Sequence, residues 1–111
     1  MTTNLTLLDK IETDALGYLK DANQWNQSIA LLIAEKENIE LTEDHWQVIN
    51  YVRQFYQEYN TSPSIRPLVK YLSLVLPKDK SNSLYLQILF PEGPAKQATK
   101  IAGLPKPARC T

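Results

Sequence analysis

The chain has 111 residues, and its 12 basic and 12 acidic side chains cancel to no formal net charge. That balance excludes a global attraction to nucleic acid or to an anionic membrane. A hydrophobic share of 43% with 22% charged residues is ordinary for a soluble globular protein, and the length suits a single domain with a modest core. No apolar run approaches the roughly 20 residues of a membrane span. The stretch "MTTNLTLLDKIETD" lacks the basic start and long apolar run of a secretory signal. A cytoplasmic protein is therefore expected. A single cysteine excludes an internal disulfide framework.

Residues 5–19, "LTLLDKIETDALGYL", read as extended, with short apolar groups broken by Asp9-Lys10 and Thr13-Asp14. They predict two or three short strands in a hairpin or small meander, with an irregular loop as the competing reading. Residues 26–37, "NQSIALLIAEKE", switch to helix. Ile29, Leu32 and Ile33 share a face there, and Asn26 or Ser28 can cap the start. The helical signal in "LTEDHWQVINYVRQFYQEYN" is stronger. Thr42 is a good N-cap, and Glu43 and Asp44 fill the first turn, where the helix dipole favours anions. Trp46, Ile49, Val52, Tyr56 and Tyr59 recur at helical spacing and mark the inward face.

"NTSPSIRP" reads as a turn, with Ser62 as cap and Pro63 at the first helical position. The helix that follows is expected to reach about Leu76, with Ile65, Leu68, Val69 and Leu72 inward. In that register Pro67 is the fifth helical residue, where it lacks a needed donor and crowds a carbonyl one turn back. A kink or an irregular first turn is expected. The loop "PKDKSNS" leads to a short helix over Asn82 to Phe90. Another lies in "PEGPAKQATKIAG", with Pro94 near its start and Gly103 at its C-cap. The fold class is α+β, mostly α. It combines a compact helical domain over residues 1–103, a helix-turn-helix-like pair, a small N-terminal β-hairpin or meander, and an extended C-terminal arm over 104–111.

In that arm, "LPKPARCT", Pro105 and Pro107 fix two φ angles and bias their neighbours to extended conformations. Eight residues at about 3.1 Å each reach roughly 25 Å. A stiffened arm of this kind can carry its tip into another protein's pocket. Near the tip sits Cys110, a thiolate of which is both a nucleophile and a sulfur carrier. Lys106 and Arg109 favour the thiolate, and the terminal carboxylate of Thr111 opposes it. An incidental surface thiol on a frayed end is the competing reading, which the paired prolines weaken.

The only histidine, His45, falls in the first turn of the Thr42-capped helix. One histidine and one cysteine cannot build a zinc site unaided, so a helix-turn or surface histidine is expected. The helix pair over 42–76 admits a DNA-reading unit, but it offers only Arg53, Arg66 and Lys70 as cations. Direct DNA binding is not expected. The aromatics Tyr51, Phe55, Tyr56 and Tyr59 read as core. Basic side chains gather at the end: Lys96, Lys100, Lys106 and Arg109 put four cations in the last sixteen positions, and Glu92 is the only acid from Lys80 onward. That patch suits an acidic partner surface or RNA phosphates held by another protein, with a solvated tail as the plain alternative.

"NTSPSIRPLVKYL", "LFPEGPAKQATKIAGLPKP" and the penultimate Cys110 resemble the TusE/DsrC family of sulfur-relay proteins. The similarity runs from "IETDALGYL" through "EDHWQVINYVRQFYQEYN" to the end. The resemblance implies a helical body, a C-terminal arm, and a sulfurtransferase in which Cys110 carries sulfur as a persulfide without metal or organic cofactor. It further implies a TusBCD-type donor complex and the tRNA thiouridylase MnmA, with bound tRNA, as acceptor, the product being wobble 2-thiouridine. Lys100, Lys106 and Arg109 are the residues expected to support the anion or dock the arm. In the branch of the family that works with dissimilatory sulfite reductase, a second cysteine lies upstream on the same tail. The matching position here is Thr99, eleven residues before Cys110. That departure points away from the sulfite-reductase role and toward the TusE branch.

Overall fold

In the computed structural model, which describes residues 12–107, five helices surround one apolar core. They are α1 (Gln27–Lys36), α2 (Glu43–Tyr59), α3 (Ile65–Ser73), α4 (Ser83–Leu89) and α5 (Pro94–Ile101). A single 3-10 turn at Ala22–Gln24 precedes α1, and another at Lys78–Lys80 lies between α3 and α4. The hub is α5, which packs against each of the other helices. Its composition explains this. Ala95, Ala98, Ile101 and Ala102 have no exposed surface, and small side chains let neighbouring backbones close in. Gln97 and Thr99 are buried too, so α5 is enclosed nearly all round.

Helix α1 starts where the sequence places it. Asn26 Oδ1 accepts from the Ile29 N–H at 3.0 Å. Ile29 and Ile33 enter the core, with Leu32 packed against it. In α2 the inward face is rotated from the expected one. His45, Val48, Ile49, Val52 and Phe55 are buried, whereas Tyr59 is more than half exposed. The aromatics drew the expected stripe too far round the helix, because a ring can cover the rim of a core while its hydroxyl stays in water.

Helix α3 corrects the expected register. Its N-cap is Ser64, not Ser62. Pro67 is then the third helical residue, where the missing N–H has no partner to lose. The Leu68 N–H makes the bond to Ser64 O at 3.0 Å. No kink is required.

The expected N-terminal hairpin or meander is not found among the described residues. Among the described residues there is no strand, only one antiparallel bridge between Thr13 and Leu19. Residues 5–11 of that expectation lie outside the described residues. The reason is local. Asp14 Oδ1 accepts from the Leu16 and Tyr18 N–H groups at 2.9 and 3.0 Å, and Gly17 takes a φ of 93°. This side-chain-stapled turn leaves room for one bridge before Asp21 caps the first 3-10 turn.

Candidate functional site

The candidate site is the base of the C-terminal segment. Helix α5 ends at Ile101, and its last carbonyls are taken by side chains from other elements. Trp25 Nε1–H donates to Ile101 O at 2.8 Å, and Arg53 Nη1–H donates to Ala102 O at 2.7 Å. The Arg53 guanidinium lies 4.0 Å from the Trp25 ring centroid, a cation–π stack. Burial lowers the proton affinity of that guanidinium from its ordinary value.

Gly103 then reverses the chain with a φ of 74°. Its N–H donates to Lys100 O at 3.1 Å, and the Leu104 N–H donates to Thr99 O at 3.2 Å, the Schellman pattern. Past the reversal the chain stays on the body. Leu104 is in the core. Ser62 Oγ–H donates to Pro105 O at 2.6 Å. Pro105 and Lys106 are exposed, and Pro107 is buried again. Ser62, expected as a helix cap, instead holds the arm.

The reversal also brings Lys106 back toward α5. With Leu16, Tyr18, Glu37, Glu92, Lys96, Gln97 and Lys100 it lines a cleft of about 380 Å³. Three of the four C-terminal cations named from the sequence therefore meet at one place. They are not equivalent. Lys100 Nζ donates to Glu37 Oε2 at 3.0 Å, in a pair whose side chains are 15% and 20% exposed. The same carboxylate accepts from Gln97 Nε2 at 3.1 Å. Lys100 Nζ also sits 5.1 Å from the Tyr18 ring centroid. Lys96 and Lys106 have no ion-pair partner among the described residues. Arg109 and Cys110 lie outside the described residues.

His45 belongs to the scaffold. Its Nδ1 accepts from the Thr42 N–H at 3.1 Å, the role a glutamate takes in a capping box. Its Nε2–H donates to Leu89 O at 2.8 Å, tying the start of α2 to the end of α4. Trp25 and Glu37 carry no motif and were invisible in the sequence. From the sequence Arg53 reads only as a cation. The available signal was Gly103: a left-handed helix end that leaves carbonyls free calls for donors from elsewhere.

The chain as a whole is similar to known proteins. The family model described as DsrC like protein matches residues 7–111, and the chain belongs to that family. It is 64% identical to the protein named Sulfurtransferase TusE homolog from Haemophilus influenzae, covering 91% of this chain and 93% of the relative. It is 60% identical to Sulfurtransferase TusE from Photorhabdus laumondii, covering 91% of each. Among solved structures, Allochromatium vinosum DsrC is similar at a TM-score of 0.82 and 48% identity, covering 91% of this chain and 90% of that one.

Proposed function

We propose that this sulfurtransferase carries sulfur as a persulfide on Cys110, accepts it from a TusBCD-type donor complex, and passes it to a tRNA 2-thiouridylase of the MnmA kind. The end use is wobble 2-thiouridine. The body over residues 1–103 recognises partners, and the segment 104–111 presents the thiol. The observation that carries this reading is a lone cysteine behind two prolines at the end of a family match that extends to residue 111. The names of the curated relatives support it.

The chemistry is sulfur exchange. The Cys110 thiolate attacks the terminal sulfur of a donor persulfide. A new S–S bond forms on Cys110, the donor's S–S bond breaks, and the donor leaves as a thiolate. The proton of the transferred –SH stays with it or passes to solvent, since a persulfide is more acidic than its thiol. In the second step an acceptor thiolate takes the terminal sulfur, and the Cys110 thiolate is the leaving group. Neither step needs an external oxidant, because the cargo is already sulfane sulfur. Thr99 is fully buried and offers a hydroxyl, so Cys110 has no sulfur partner within the chain. Lys106, with Arg109, supports the anion or docks the arm. Lys100, held by Glu37, contributes by shaping the cleft beside them.

The test is intact-mass analysis after incubation with a persulfide donor. Wild type is expected to gain one sulfur atom and Cys110→Ser none, with unchanged far-UV circular dichroism. Equal sulfur gain by both proteins would overturn the assignment of Cys110. In cells, removal of the last two residues is expected to abolish 2-thiouridine in bulk tRNA.

A further inference from the structure

We infer that Arg53, Trp25 and Ser62 are positioning residues for sulfur transfer: they clamp Ala102 to Pro105 against the body, so that Cys110 is limited to the links after Pro107. The inference rests on the relay reading of Cys110. The sequence alone predicts an extended arm over the whole of 104–111. The structure instead holds residues 102–107 at four successive points. These are the Arg53–Ala102 bond at 2.7 Å, buried Leu104, the Ser62–Pro105 bond at 2.6 Å and buried Pro107. Arg53 is itself fixed by its stack on Trp25, which is bonded to Ile101 O.

The consequence is geometric. Three links from Pro107 to Cys110 span at most about 11 Å, less than half the reach of the full arm. A partner must therefore seat its own sulfur close to the Pro107 face of the body, beside the cleft that Lys106 lines. Effective concentration falls roughly as the −3/2 power of tether length, so a tether counted from Gly103, at seven links, in place of one counted from Pro107, at three, dilutes the sulfur about three- to four-fold.

The experiment compares wild type with Ser62→Ala, Ser62→Thr and Arg53→Lys on three readouts. The first is the ¹⁵N order parameter of the Lys106 amide. It is expected above about 0.8 in wild type and to fall toward about 0.6 in Ser62→Ala. The second is loading of Cys110 by inorganic polysulfide, which needs only the thiol. The third is single-turnover sulfur transfer from purified TusBCD-type donor at saturating donor. It is expected to slow in Ser62→Ala and Arg53→Lys, by at most about three-fold because the other holding points remain, and to be restored by Ser62→Thr, which keeps the hydroxyl. A change confined to half-saturating donor concentration, with the saturated rate unmoved, would overturn the positioning role. So would a Lys106 amide already loose in wild type. If wild type takes no sulfur from polysulfide, the carrier reading fails first and the clamp loses its purpose with it.

Discussion

Gly103 is the position at which a single methyl group is most costly. A Cβ built there would lie 2.3 Å from Trp25 Cδ1 and 2.7 Å from Trp25 Cγ. The indole cannot retreat cheaply, because its N–H is bonded to Ile101 O and its face carries Arg53. Backbone strain at a left-handed φ adds to the overlap. Gly103→Ala is therefore expected to destabilise by about 2–5 kcal/mol, the sum of left-handed strain and overpacking. Gly17 provides the control. Its φ is also positive, at 93°, but the nearest atom to a new Cβ is Lys100 Cδ at 3.6 Å, on a long side chain. Gly17→Ala is expected to cost only the strain, about 1–2 kcal/mol. Urea midpoints of the two variants check the ordering. Equal losses would mean that Trp25 is not the rigid wall described.

Pro67 tests the helix register in the same direct way. In the middle of a helix a proline costs about 3 kcal/mol, and replacing it with alanine would stabilise strongly. As the third residue of α3 it breaks no bond, and it restricts the unfolded chain. Pro67→Ala is then expected to lower stability by about 0.5 kcal/mol, by the entropy argument that makes a compatible proline favourable. The sign of the change in thermal midpoint decides between the registers. This element also shows what the sequence could and could not tell. All five helices were legible, because their apolar spacing and their Asn26, Thr42, Asn82 and Pro94 start signals agree with one another. The start of α3 was not, because "SPSIRP" offers two serines and two prolines that fit a helix start equally well locally. Only the demand of Pro105 O for a donor, forty-three residues away, takes Ser62 out of the contest. The N-terminal segment misled for a related reason. Alternation of short apolar groups suggests strands, while among the described residues the single side chain of Asp14 closes a turn backed by one bridge, Thr13 to Leu19.

The proposed relay places two tasks on one helix. The same α5 that organises the core leads into the C-terminal segment, so on that proposal partner docking and stability meet along the line Lys96, Lys100, Lys106. Charge count alone made these lysines look alike, and only folding separates them. Lys100 is spent within the molecule: its amine neutralises Glu37, whose other oxygen holds Gln97. Lys100→Ala takes the cation from a carboxylate that is only 20% exposed and leaves it Gln97 alone, and is expected to cost about 1–2 kcal/mol of stability. Lys106 is exposed and has no ion-pair partner among the described residues, so Lys106→Ala is expected to leave stability within about 0.5 kcal/mol of wild type. On the proposed relay its charge acts on encounter. If the donor surface is acidic, loss of this exposed cation is expected to slow association. That deficit shrinks as salt shortens the Debye length from about 30 Å at 0.01 M to about 3 Å at 1 M. Stopped-flow association with the donor complex over that range, set beside urea unfolding of both variants, resolves the two roles. Lys100→Ala should lose stability, whereas Lys106→Ala should lose salt-sensitive association rate. A Lys106→Ala protein that associates at the wild-type rate in low salt would remove this lysine from docking and leave Arg109 as the cation to examine.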